Sequence, residues 1–359
     1  MLNSRAGKLV FADGSVYHGD LLGAENAVGE VVFTTGMSGY QEVLTDPSYC
    51  GQIIVMTYPM IGNYGVSDFF NQSRKSFARG YVVEQLCEQP NNWRMQETIA
   101  SFLNKQGLTC LYNVDTRAIT RKIRNHGVLK GVIVGEEVSQ AEIERLLATP
   151  EEHGQVVEVT TPEKYSLGLE NTGKHVAVLD LGIKQNILQV LLDFNCKLTV
   201  FPATATFEEI LASSPDGIFL SNGPGDPKDL PFVIAMVKKL IGQKPIFGIC
   251  LGHQMLALAL GADTYKLKFG HRGINHPVID LELDKVFISS QNHGYAVTEE
   301  SLVGLPLQIT HLSVNDRTIE GFKHTQLPIF SVQYHPEAAP GPDGHEYLFE
   351  RFLKNMGEK

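Results

Sequence analysis

The 359-residue chain has only five cysteines, Cys50, Cys87, Cys110, Cys196 and Cys250, and no two of them form a Cys-x-x-Cys pair. An odd, dispersed set excludes a disulfide framework and fits reduced thiols in a cytoplasmic compartment. There is no Gly-x-x-x-x-Gly-Lys-Ser/Thr phosphate loop and no His-Glu-x-x-His zinc motif, so no signature for ATP binding or zinc hydrolysis is present. His271 and His276 stand five apart without a cysteine or acidic companion at zinc-like spacing, and no metal site is expected. Long apolar runs are missing too. The most hydrophobic window, 246–262, is interrupted by Gly248, Gly252, His253 and Gln254, short of the roughly 20 apolar residues of a membrane span. Residues 1–13 carry charges and lack the apolar core of a signal peptide, so no secretion is expected. Positive charge is in the minority, with 30 Lys and Arg against 40 Asp and Glu and a net charge of −10. That balance argues against nucleic acid or an anionic membrane as the main partner.

What is present reads as a globular enzyme of two domains, since 43% hydrophobic residues over this length can build two sizeable cores. Residues 1–150 mix short β-rich runs, such as 51–58, with Gly, Pro and Asn turns and a helix-like stretch at 96–106. This is an α+β pattern. The polar stretch 149–174, with Pro150, Pro162 and Gly173, lacks sustained periodicity and reads as a linker, giving domains at 1–150 and 174–359 joined by 151–173. Beyond it, strand-like runs at 175–180, 197–201, 217–220 and 329–332 alternate with helix-like runs at 185–193, 207–212 and 231–241. Such a rhythm predicts a parallel sheet with helices on both faces. Ligands bind such sheets at the C-terminal strand ends, which puts the loop 221–226 and Cys250 over one pocket.

The chemistry concentrates in Gly248-Ile249-Cys250-Leu251-Gly252-His253-Gln254. Gly-x-Cys-x-Gly between a strand-like and a helix-like run is the thiol counterpart of a nucleophile elbow, in which small neighbours permit a strained turn. The following helix directs its free N–H groups and positive dipole end toward the sulfur. A lone cysteine in an apolar stretch is also a common buried hydrophobe, so the base matters. Gln333-Tyr334-His335-Pro336-Glu337 follows a strand-like run. In extended backbone, which Pro336 favours, His335 and Glu337 project to the same side. Together the two segments supply nucleophile, base and orienting carboxylate.

These segments resemble the class I, triad-type glutamine amidotransferases, and Ser221-Asn222-Gly223-Pro224-Gly225-Asp226-Pro227 and Ser290-Gln291-Asn292-His293-Gly294-Tyr295 extend the match. Met37-Ser38-Gly39-Tyr40-Gln41-Glu42-Val43-Leu44-Thr45-Asp46-Pro47-Ser48-Tyr49 narrows it to the small, glutamine-hydrolysing subunits of carbamoyl-phosphate synthetases. The resemblance covers essentially the whole chain. It implies an α/β fold: a C-terminal flavodoxin-like parallel sheet plus an N-terminal α+β domain of the swivelling β/β/α kind. It implies Cys250, His335 and Glu337 as the catalytic triad and the N–H groups of Gly223 and Leu251 as the oxyanion hole. L-glutamine would be held by Ser48, Gly223, Gly225, Leu251, Gln254, Asn292, Gly294 and Tyr295. Tyr295 departs from the phenylalanine common in the family, keeping the ring and adding a hydroxyl. Read without the family, Ser48 is a plain turn residue, Gln254 a first-turn helix residue, and Asn292 and Gly294 parts of a polar turn.

The resemblance further implies a separate large, ATP-binding subunit that holds ATP and its metal ions and makes carbamoyl phosphate for arginine and pyrimidine synthesis. No cofactor is expected in this chain, and a heterodimer or a higher assembly of heterodimers is. Two other classes remain open. Another thiol hydrolase would share Cys250 and His335 but has no reason to carry 37–49, and a non-catalytic regulatory subunit would need a dead triad.

Overall fold

The computed structural model describes residues 4–150 and 153–357. Their contacts separate two compact units, 1–152 and 153–359. In the first, seven strands close into a barrel: β1 (Arg5–Phe11), β2 (Val16–Leu22), β3 (Ala27–Thr34), β4 (Gln52–Met56), β5 (Gly80–Val82), β6 (Thr109–Tyr112) and β7 (Leu129–Gly135). Around the barrel the order is β1-β2-β6-β5-β4-β3-β7. The run β6-β5-β4-β3 is parallel, while the pairs β1-β2, β1-β7, β2-β6 and β3-β7 are antiparallel. Closure leaves no exposed sheet edge. The expected helix at 96–106 is shorter, Ile99–Lys105, because the Thr98 side chain accepts from the Ser101 N–H and starts it there.

Within this unit, stretch 37–49 is built in firmly. It forms a helix, Tyr40–Thr45, and a 3₁₀ turn, Pro47–Tyr49. The Tyr40 hydroxyl donates to the Gly65 carbonyl at 2.6 Å and its ring stacks on Tyr64. The Gln41 amide donates to the Ser67 carbonyl and accepts from the Ser67 N–H at 2.7 and 3.0 Å. The pattern in this stretch is therefore anchored by buried polar groups that each find a partner.

The second unit is a ten-stranded sheet. Its strands are β8 (Tyr165–Leu167), β9 (His175–Asp180), β10 (Lys197–Pro202), β11 (Gly217–Leu220), β12 (Ile246–Ile249), β13 (Thr264–Asp280), β14 (Lys285–Val297), β15 (Leu307–Ser313), β16 (Ile319–His324) and β17 (Ile329–Val332). The order is β8-β10-β9-β11-β12-β17-β16-β15-β13-β14. The five strands β10-β9-β11-β12-β17 are parallel, which is the flavodoxin-like order. β9, β11 and β17 have the bounds expected from the sequence. These strands read as continuous apolar runs because helices cover both faces. Ala177 and Leu179 join the core on one side with Leu220, Val233 and Met255, whereas Val176 and Val178 join the other with Phe219, Phe247 and Phe349. That split is the period-two alternation of a strand.

Two features depart from the expectation. The segment anticipated as a linker carries a helix, Gln155–Val159, and β8, whose Tyr165–Leu167 pairs antiparallel with Leu198–Val200. A three-residue strand is too short to show a period, and only the unpaired edge of β10 gives it a place. The long hairpin β13/β14 likewise has bulges between Lys266 and His271 and between Gly273 and His276, and they break the alternation that would have marked it. Among the described residues, no helix is long and apolar enough to cross a membrane.

One core group carries a pH dependence. His253 is fully buried with Nδ1 2.8 Å from Ser331 Oγ, and burial, helped by His311, holds it neutral by pushing its pKa down to about 3. Because the folded value lies below the unfolded one, its contribution is present above pH 6.5 and is lost as pH falls. We expect about 1.4 kcal/mol of stability lost per pH unit below that point from this residue. Urea unfolding at pH 7 and pH 5 measures it, and His253→Gln should show a shallower loss than the unsubstituted chain.

Candidate active site

At the end of β12 the chain turns sharply into the helix Leu251–Ala259, and the turn residue is Cys250, with φ 53° and ψ −106°. A non-glycine residue in this region is strained and persists only when its surroundings impose it. Here they do. A Cβ on Gly252 would stand 2.2 Å from the Leu220 carbonyl oxygen, and one on Gly248 2.8 Å from the Gly252 backbone. Both positions therefore require glycine for close approach. The Gly252 N–H donates to the Ser221 carbonyl at 3.0 Å and the Cys250 N–H to the Val332 carbonyl at 2.9 Å, which ties the elbow to strands on both sides. Cys250 is buried, its Sγ 3.6 Å from the Asn292 carbonyl oxygen. Leu251 opens the helix, where N–H groups lack intrahelical partners.

The loop after β11 closes one side. A Cβ on Gly223 would meet the Leu181 carbonyl oxygen at 2.1 Å and the Leu251 side chain at 2.7 Å, and Gly225 has φ +89°. The Ser221 hydroxyl accepts from the Leu181 N–H at 2.9 Å, and Asn222 Oδ1 accepts from the Lys184 N–H at 3.1 Å. The loop is thus laced to the end of β9.

His335 follows β17. Its N–H donates to the Ser290 carbonyl at 2.9 Å, and the Ala338 N–H donates back to the His335 carbonyl at 3.2 Å. The backbone is therefore a tight turn past His335 rather than the extended strand expected from Pro336, and proline at the second turn position is the reason. The turn still brings the two side chains together. His335 Nδ1 lies 2.6 Å from Glu337 Oε1, with both residues buried. Burial works to lower the His335 pKa, but the Glu337 charge and the neighbouring Cys250 sulfur outweigh it and hold the imidazole protonated well above its usual range. Glu337 is held ionised: burial raises it, and the Lys184 and His335 charges more than offset this.

Lys184 is the buried partner of the candidate triad that sequence reasoning missed. It is 1% exposed, its Nζ donates to Glu337 Oε1 at 2.9 Å, and it also donates to the Ala338 carbonyl. The Asn186 side chain donates to the Glu337 carbonyl. The one available signal was a lysine four residues past the C-terminal end of an apolar strand.

Of the other anticipated residues, Gln254 lies in the first turn of the elbow helix, where its amide donates to the Tyr295 carbonyl at 3.0 Å and to Gln333 Oε1 at 2.9 Å. Asn292, Gly294 and Tyr295 belong to β14 and not to a polar turn. Gly225 faces the Gln155 side chain. Ser48 belongs to the first unit, buried in the 3₁₀ turn, its N–H donating to Asp46 Oδ1 at 2.9 Å. The second unit therefore gathers Cys250, Leu251, Gln254, Gly223, Asn292, Tyr295, His335 and Glu337 at the C-terminal end of its parallel strands, where topology puts ligand sites.

Comparison with known proteins extends this picture. The class-I glutamine amidotransferase family matches residues 177–355, and the carbamoyl-phosphate synthase small chain CPSase domain matches residues 9–133. The carbamoyl phosphate synthase small chain of Clostridium acetobutylicum is 49% identical over 97% of this chain and 99% of its own. That of Clostridium perfringens is 50% identical over 97% and 98%. The pyrimidine-specific small chain of Bacillus subtilis is 48% identical over 97% and 95%. Identity near one half, sustained along almost the whole of both chains, means that this chain belongs to the carbamoyl phosphate synthase small chain family, as a glutamine amidotransferase subunit.

Proposed function

We propose that this chain hydrolyses L-glutamine to glutamate and ammonia through a Cys250-His335-Glu337 triad and passes the ammonia to a large synthetase subunit. The observation that carries the reading is the strained Cys250 elbow beside the buried His335–Glu337 pair. With its thiol proton passed to His335, Cys250 Sγ attacks the side-chain carboxamide carbon, and the oxyanion is met by the N–H groups of Gly223 and Leu251. His335, kept protonated and oriented by Glu337, gives its proton to the departing amide nitrogen, which leaves as ammonia. A γ-glutamyl thioester remains on Cys250. His335, now a base, takes a proton from water, the resulting hydroxide displaces the thiolate, and glutamate is released. Ser48, Gly225, Gln254, Asn292, Gly294 and Tyr295, together with the two oxyanion-hole residues, bind the glutamine. The hydrolysis calls for no cofactor in this chain.

The name "small chain" shared by the relatives supports a large partner. That partner would bind ATP and its metal ions and make carbamoyl phosphate from bicarbonate and the delivered ammonia, for arginine and pyrimidine synthesis in the cytoplasm. The two would form a heterodimer or an assembly of heterodimers, with residues 1–150 contributing to docking and to the glutamine site. The test is glutamate release from glutamine with and without the large subunit, ATP and bicarbonate. Release that rises with the partner supports coupling, and a rate indifferent to the partner would overturn it while leaving the glutaminase intact.

A further inference from the structure

Three side chains from distant parts of the sequence converge inside the second unit, close enough to the triad that the His335 charge bears on His293. His271 on β13 and His293 on β14 are directly paired across the hairpin, and Glu320 lies on β16. All are buried, with exposures of 7, 5 and 0%. Each turns one atom inward without a hydrogen-bond partner: His271 Nδ1, His293 Nε2 and Glu320 Oε1. One ligand atom from each of the three side chains lies within 4.8 Å of the other two. Oε1 is 3.5 Å from His271 Nδ1 and 3.9 Å from His293 Nε2. Ligands about 2.1 Å from a tetrahedral zinc ion stand roughly 3.4 Å apart, so small inward shifts would close the set.

The outer atoms of the same side chains are already held. His271 Nε2 is 2.8 Å from Asp316 Oδ2, His293 Nδ1 is 2.7 Å from the Tyr295 carbonyl, and Glu320 Oε2 accepts from the Gln291 amide at 2.9 Å. Metal-binding histidines and carboxylates are oriented by outer partners of this kind, which fix the tautomer and aim the free lone pair. Without a cation these three buried atoms have only the 3.5 and 3.9 Å approaches to one another, short of good hydrogen-bond geometry, and that is costly. The acidic residues Glu320 and Asp316 also offset the positive Arg272, which bears on His293.

We propose that His271 Nδ1, His293 Nε2 and Glu320 Oε1 form a binding site for a divalent transition-metal cation of the zinc class. Two imidazoles and one carboxylate suit that class. The cation is structural rather than a participant in hydrolysis. It clamps β13, β14 and β16 together, and the clamp reaches the anticipated glutamine site through His293 and Gln254, which both engage the Tyr295 carbonyl. That last consequence rests on the function proposed above, whereas metal binding does not. The sequence offered only His271 and His276 for comparison, because the carboxylate comes from another strand. The competing occupant is a proton on His271, shared between Asp316 and Glu320.

The test is Co²⁺ binding to the full chain after chelator treatment, followed by visible absorption and by equilibrium dialysis, with circular dichroism as the control for folding. One Co²⁺ per chain with ligand-field bands is expected, persisting in Cys250→Ser, and at least about 100-fold weaker in both His271→Asn and Glu320→Gln. Zn²⁺ should also raise the melting temperature of the unsubstituted chain over a chelator-treated sample, a readout that survives if a variant fails to fold. Absent binding, or binding lost in Cys250→Ser and retained in Glu320→Gln, overturns the site. Failure of the glutaminase reading would show in glutamate release instead, so the two are separable.

Discussion

Cys250→Ser is expected to reduce glutamate release from glutamine by at least about a thousandfold while leaving the fold intact. The substitution exchanges one atom at a position whose backbone is dictated by its neighbours: the glycines at 248 and 252 and the hydrogen bond from the Cys250 N–H to Val332 are untouched. What is lost is the nucleophile. A hydroxyl is far harder to ionise than a thiol, and the variant also lacks the sulfur that helps to raise the His335 pKa. Covalent labelling by a glutamine-mimicking electrophile provides the parallel measurement and should disappear in the variant. A Cys250→Ser chain that still released glutamate at more than a few per cent of the parent rate would remove Cys250 from the mechanism and leave a docking or regulatory subunit as the better account.

Lys184→Met is expected to be the most damaging change outside the triad. The ammonium and the Glu337 carboxylate are 2.9 Å apart with side-chain exposures of 2 and 0%, and breaking such a buried pair strands a charge at a cost of about 3 kcal/mol. The cost falls at the lower end of the usual range because Glu337 keeps His335 as a partner. In a unit of this size that corresponds to a melting temperature lower by on the order of 10 °C. Activity should fall on the order of tenfold or more, since Glu337 would no longer be fixed against His335. The sign of the pH effect separates this from simple destabilisation. Lys184 works against protonation of His335, so its removal should move the His335 limb of the kcat/KM profile to higher pH. A melting temperature within 2 °C of the parent, or a limb shifted to lower pH, would contradict this account.

The linear chain determined a good deal on its own. Runs such as 217–220 and 329–332 are apolar on both sides because both faces of a parallel strand are covered, so their bounds could be read directly. The elbow, the loop 221–226 and the His-Pro-Glu stretch were legible because each is local: a turn needing glycine, or two side chains two residues apart. Other features depend on contacts between distant segments. β8 exists only because β10 has a free edge, and the bulged hairpin 264–297 has no clean period to read. Lys184 looked like any lysine until folding carried it 153 residues along the chain to Glu337, and the pairing of His271 and His293 with Glu320 is likewise invisible in spacing. The sequence by itself pointed to the reaction class proposed above, since the candidate nucleophile, base and orienting acid lie in short local segments. Only the tertiary structure decided the electrostatics, because the protonation of His335 and Glu337 depends on which charges burial brings within a few ångströms of them.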